Sequence, residues 1–166
     1  MSTTADLFPD EGLDALLAIV PKQGTTPTQM FVGLYTASGG SSIPANNATL
    51  AGAGANMQGC AEVSTTLWST YLRITFPSGS WGAQAASTVW STSGRIVTGT
   101  AAAVFPAPTS AYSPAQAIAG FFLSNASFAN SGFAYYYSNF SDNSLINSLA
   151  IGDVVKVTPT FGLGNS

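Results

Sequence analysis

The chain has 166 residues, 46% of them hydrophobic and only 7% charged, with a formal net charge of −3 and no histidine. A soluble domain ordinarily carries roughly 25% charged residues, so Ser, Thr, Asn and Gly must supply most of the surface polarity. Four basic residues cannot build the patch that phosphate recognition needs. The missing histidine removes the usual general base, the usual nucleophilic triad and most zinc sites.

The length suits a single domain over residues 1–166, large enough to bury a core without metals or disulfides. Disorder is excluded by the high apolar fraction and the small net charge. No apolar run approaches the ~20 residues of a membrane helix. The start, "MSTTADLFPDEG", is acidic where a signal peptide would be basic, so no Sec-type export is expected. Cys60, the single cysteine, cannot form an internal disulfide and reads as a small half-buried side chain in a loop. A surface with so little charge has little self-repulsion and favours association.

In chain order, residues 1–22 form an N-terminal arm and the one good helical pattern, "DEGLDALLAIV" over residues 10–20. Leu13, Leu16, Leu17 and Val20 recur at i, i+3, i+4 and i+7 and give one apolar face. Asp10 suits the N-cap, Glu11 and Asp14 sit near the positive end of the dipole, and Pro21 stops the helix. Next, "MFVGLYTAS" sets Met30, Val32 and Leu34 against Phe31, Gly33 and Tyr35, a strand partly buried on both faces. Residues 37–59 form a long Gly/Ala/Asn-rich loop, a type of segment that is usually functional or mobile. Its "GAGANMQG" piece lacks both the lysine and the helix pattern of a phosphate loop.

The β pattern then takes over. "YLRITF" sets Leu72, Ile74 and Phe76 against Tyr71, Arg73 and Thr75, and "STVWST" and "GRIVTGTAAAVFP" follow after Ser-Gly turn signals. "AIAGFFLSN" and "SGFAYYYSNF" are expected to pair as a hairpin. In "GDVVKVTPTF", Val155 and Val157 share one face, Val154, Lys156 and Thr158 the other, and Pro159 ends the strand at a sheet edge. Short strands at about 10-residue spacing after one helix indicate a mainly β chain, an antiparallel β-sandwich of jelly-roll-like or Ig-like type.

Catalytic chemistry finds little to stand on. Asp6, Asp10, Glu11 and Asp14 cluster near the helix, where capping and solvation account for them. Glu62, Asp142 and Asp153 are scattered on expected loops and turns, with Asp153 placed to bond backbone amides in the "IGDVV" turn. A glycosidase-like pair would need folding to bring two of these together. No enzyme activity, cofactor or metal is expected. The triplets at Asn47, Asn125 and Asn139 are ordinary for a chain so rich in Asn, Ser and Thr.

The candidate contact residues are Leu13, Leu16, Leu17, Arg73, Trp81, Tyr135, Tyr136 and Tyr137. Arg73 and Arg95 each lie in a strand pattern and, in a chain so poor in charge, suit an interface or a salt bridge. Strand alternation places Tyr135 and Tyr137 on one face and Tyr136 on the other, with core or edge packing as the leading account and an interface next. Exposed tyrosine beside Ser and Asn would suit a protein partner or a sugar. Trp68, Trp81 and Trp90 divide in the same way, Trp81 in "SGSWGAQ" being the one expected to be exposed.

The ordered series "MFVGLYTAS", "TYLRITFPSGSW", "AVFPAPTSAY", "IAGFFLSNAS", "GFAYYYSNF", "IGDVVKVTPTF" resembles a widespread family of small bacteriophage virion proteins. These are variously labelled minor structural, tail-fibre-like or head-decoration proteins. The resemblance covers about residues 8–161, with Arg73 at the position of an arginine in a "GYARQ"-like strand; "YLRITF" is a loose match and the 37–59 loop varies within the family. It implies a β-sandwich with a structural role and no catalytic residue. The expected role is capsid decoration, as a cement protein contacting the major capsid protein and copies of itself. A trimer would suit the local three-fold axes of a capsid. The alternative is a tail or tail-fibre module touching other tail proteins or host-surface glycan. In either role the chain is expected in the virion, assembled in the host cytoplasm, with no nucleic-acid or membrane partner.

Overall fold

The computed structural model describes residues 6–7, 29–37, 60–83, 85–86, 93–113, 116–127, 131–140 and 144–165, with side chains at 29–37, 60–83, 97–113, 116–127, 131–140 and 144–161. Strands account for 48% of the described residues and none is α-helical. The expected helix with Leu13, Leu16 and Leu17, the loop residues 38–59, and Trp90 lie outside them.

Eleven strands are formed: β1 (Asp6–Leu7), β2 (Gln29–Ala37), β3 (Cys60–Glu62), β4 (Ile74–Pro77), β5 (Ala85–Ala86), β6 (Ser93–Thr98), β7 (Ala103–Val104), β8 (Ala117–Ser124), β9 (Ala134–Asn139), β10 (Lys156–Val157) and β11 (Thr160–Asn165). All pairings are antiparallel. The largest sheet has the order β1-β9-β8-β2-β3, with β4 sharing the outer edge of β2. Two smaller sheets are β10-β7 and β11-β6-β5. The N-terminal arm therefore takes part in its own sheet, Asp6 opposite Ser138 and Leu7 opposite Tyr137.

β2 forms as its composition dictates: residues 31–37 are all buried, the mark of a strand covered on both faces. One face turns Val32 and Leu34, with Phe121, Leu123 and Tyr136, into the main core. That core is completed from beyond the large sheet by Trp68, Tyr71, Phe105, Tyr112 and Val157. The other face sets Tyr35, Phe122 and Tyr137 in a second cluster with Cys60, Ala119 and Ala134. Gly33 lies directly opposite Phe122, whose ring occupies the space where a β-carbon would stand. Only glycine lets the two central strands approach with that ring laid across them.

β8 and β9 pair as the expected hairpin, Phe122 opposite Tyr137 and Leu123 opposite Tyr136. A register shift between Leu123 and Ser124 leaves Tyr135 without a partner across the ladder. The bulge alters the expected alternation: Tyr135 joins Tyr136 in the main core, while Tyr137 belongs to the second cluster. Near the C-terminus, Val155 and Val157 are buried while Val154, Lys156 and Thr158 are exposed, as the period-2 pattern requires. At Pro159 the chain leaves β10, and its carbonyl accepts the Gly99 N–H at 2.8 Å before β11 pairs with β6. Proline thus ends one pairing, and the same run of chain opens another.

Candidate functional site

Arg73 forms the densest polar assembly among the described residues. Its side chain is 0% exposed and that of Glu62 is 6% exposed. The guanidinium meets the carboxylate side-on, Nε donating to Oε1 and Nη2 to Oε2, both at 2.8 Å. Nη1 donates to Ser124 Oγ at 3.1 Å and to the carbonyls of Ala126 at 2.7 Å and Ser131 at 3.0 Å. The Phe122 ring centroid lies 5.1 Å from the guanidinium carbon, close enough for cation–π attraction. One side chain therefore binds together β3, the approach to β4, the end of β8 and the connection from β8 to β9. A rigid fork with five donors suits this many-sided satisfaction; a lysine ammonium does not.

Tyr71 adds a second tie. β3 pairs with residues 35–37 of β2 and β4 with residues 29–32, so the ladder is interrupted at Gly33 and Leu34. The Leu34 N–H donates to the Tyr71 hydroxyl at 2.9 Å, the hydroxyl donates to Glu62 Oε1 at 3.1 Å, and the Leu34 carbonyl accepts Val63 N–H at 3.0 Å. A buried backbone amide left without its strand partner is thereby satisfied.

The sequence-based contact residues are distributed differently from expectation. Arg73 is buried at 2% exposure in an ion pair with Glu62, so of the two roles expected for it the salt bridge holds and the interface is corrected. Tyr135, Tyr136 and Tyr137 are 6%, 1% and 0% exposed, so no face of this strand is turned to solvent or to a partner. Tyr136 packs edge-on to Phe161 at 5.3 Å and Tyr35 edge-on to Tyr137 at 6.0 Å, while the Tyr35 hydroxyl donates to Asn139 Oδ1. Trp81 is half-buried against Phe76, ring centroids 5.0 Å apart, instead of standing free in its loop. Cys60 belongs to β3 and is buried, where a loop was expected. Asp153 does hold its turn, accepting the Ala150 N–H on Oδ2 at 2.7 Å.

The alternation expected in "YLRITF" is inverted at its start: Tyr71 and Arg73 are buried and Leu72 is 51% exposed. The hydrogen bonds of Tyr71 and Arg73 outweigh the burial of one leucine, worth about 1.5–3 kcal/mol.

What sequence reading overlooked is a groove of about 460 Å³ near the C-terminus. Phe140, Ile146, Leu149 and Val155 line it together with exposed Asp153 and Lys156. Leu149 and Ile146 are positioned by paired backbone hydrogen bonds to Tyr112 and Ile118, all 2.9–3.0 Å. No protein-family model matches the chain, and no curated protein matches it.

Burial raises the Tyr71, Tyr112 and Tyr135 hydroxyls above the ordinary 10.0, Tyr112 to about 12; at Tyr71 the neighbouring Glu62 carboxylate adds to the effect. Above pH 10 the folded chain keeps protons that the unfolded chain loses. Their stabilisation is complete below pH 10 and is lost as pH rises through the folded values, at up to about 1.4 kcal/mol per pH unit for each tyrosine. The melting temperature should therefore fall steeply above about pH 10. A melting temperature that stays level above about pH 10 would contradict this.

Proposed function

We propose that this chain is a structural protein of a bacteriophage virion, acting as a capsid decoration or cement protein. The observation that carries the reading is the low charge of the chain, 7% of its residues. Among the described side chains only Glu62, Arg73, Asp153 and Lys156 are charged, and Glu62 and Arg73 neutralise each other inside. The described surface therefore presents two charges, Asp153 and Lys156, amid Ser, Thr, Asn and Ala. Such a surface is poorly suited to life as a dispersed monomer and well suited to close tiling. The ordered motif series and the antiparallel β architecture agree with this role, and the finer form proposed is a β-sandwich of jelly-roll-like or Ig-like type.

The mechanism is thermodynamic. Many weak contacts, repeated by the symmetry of the shell, bridge neighbouring copies of the major capsid protein and of the chain itself. A three-fold cluster of chains would occupy a local three-fold axis. Because the chain binds the assembled lattice in preference to free subunits, it stabilises the lattice by mass action. A tail-fibre role with host glycan as ligand drew its support from exposed aromatic rings. The burial of Tyr135, Tyr136 and Tyr137 takes the tyrosine part of that support away, while Trp81 stays half-exposed.

Co-sedimentation tests the reading. Purified chain should pellet with expanded shells, saturate at a fixed ratio to the capsid protein, and stay in the supernatant with unassembled subunits. Binding to host-surface polysaccharide with none to shells would replace this reading with the fibre role.

A further inference from the structure

The described residues contain five exposed large apolar side chains, and three of them fall on β7 and on the turn and approach leading into β10. They are Val104 at 48%, Ile151 at 69% and Val154 at 50% exposure. Lys156 lies opposite Val104 across the β7–β10 pair, and the Phe105 N–H donates to the Val155 carbonyl at 2.9 Å. Continuing that register places Val104 and Val154 diagonally on the same outward face. Ile151 stands in the adjoining turn, where the Asp153 N–H donates to the Ala150 carbonyl at 3.1 Å. Gly152, with φ at +90°, makes that turn possible. The groove lies beside this face, and Asp153 and Lys156, the two charges of the described surface, both line it.

We infer that this face, Val104, Ile151, Val154 and the Asp153–Lys156 pair, is a two-fold contact between copies of this chain. Charge complementarity selects the occupant. A two-fold contact is self-complementary: whatever residue i of one copy meets, the other copy meets in return. Opposite charges three residues apart on one patch satisfy this condition, Lys156 of each copy facing Asp153 of the other. The exposed valines and isoleucine are then covered by their own counterparts around the axis. An interface of ordinary stability buries about 800 Å² on each partner, whereas this patch rests on three apolar side chains and two charges. The isolated pair is therefore weak, with half-association at about 0.1–1 mM. Such strength suits a contact that acts by repetition, and the inference rests on the virion reading in that one respect, the crowding of copies on a shell.

Sedimentation equilibrium of the purified chain, up to about 1 mM, reads the contact directly. Lys156→Glu and Asp153→Lys should each weaken association about tenfold by placing like charges face to face. The double variant D153K/K156E restores opposite charges across the axis and should recover association to within about threefold of the natural chain. Asp153 also holds a backbone amide, so Val154→Asp serves as a variant at an exposed position with no hydrogen bond to lose, and it should abolish dimers. Near-UV circular dichroism verifies folding in each case. A natural chain that stays monomeric at 1 mM overturns the inference, as does unchanged association in V154D or a folded double variant without recovery. Failure of the virion reading would instead show as absence of the chain from particles, and these measurements on the isolated chain would stand.

Discussion

Replacing Arg73 by methionine should lower the stability of the fold by about 3–5 kcal/mol, the usual result of leaving one member of a buried ion pair without its partner. The Glu62 carboxylate would keep only the Tyr71 hydroxyl of the hydrogen bonds described above, and Ser124 Oγ and the carbonyls of Ala126 and Ser131 would lose a donor together. Glu62→Gln should be milder, because the amide oxygen still accepts one N–H from the guanidinium. Arg73→Lys should recover only part of the loss, since an ammonium cannot bond both carboxylate oxygens and the far carbonyls in one geometry. Changing Arg73 and Glu62 together to methionine should destabilise by clearly less than the sum of the single changes, with a coupling of about 1–3 kcal/mol. Denaturant titration of the natural chain, Arg73→Met, Glu62→Met and the double variant measures the cycle. Strict additivity would mean that the two groups are held apart in solution.

Trp68→Ala is the second large effect, expected at about 3–5 kcal/mol. Trp68 is 0% exposed and joins the turn after β3 to the chain beyond β7. Its ring packs against Tyr112 at 5.6 Å, Tyr71 at 5.8 Å and Phe105 at 6.5 Å. The indole N–H donates to the Pro106 carbonyl and meets Thr70 Oγ1, each at 3.0 Å, and Thr70 in turn donates to the Ala107 carbonyl at 2.8 Å. Trp68→Phe separates packing from hydrogen bonding: it keeps most of the ring and should lose about 1–3 kcal/mol, chiefly through the stranded Pro106 carbonyl. Equal losses in the two variants would assign the whole effect to the hydrogen bond and contradict the packing account.

Where a strand's pattern was set by its own neighbours in sequence, reading the sequence succeeded. "GDVVKVTPTF" alternates in the structure as it does on paper, because one face is wet and the other dry along residues 154–158. β2 and the β8–β9 hairpin were equally legible, their apolar runs marking strands covered on both sides. The tyrosine block misled for a related reason. Alternation assumes a flat strand with one exposed face, whereas a bulge at Tyr135 and a second cluster beneath Tyr137 remove both conditions. For Arg73 the pattern suggested a salt bridge but no partner. Its burial depends on Glu62, Ser124, Ala126 and Ser131, which only the tertiary fold assembles. The groove was hidden in the same way, since Phe140 and Lys156 meet through topology, while Asp153 was recognised only as a turn residue.

The copy number of this chain in purified phage particles, measured against the major capsid protein by quantitative mass spectrometry, tests the central claim most directly. A decoration protein should be present in hundreds of copies at a fixed ratio to the capsid protein. A few to a few dozen copies would place it in the tail or fibre, and absence from the particle would contradict the structural role itself.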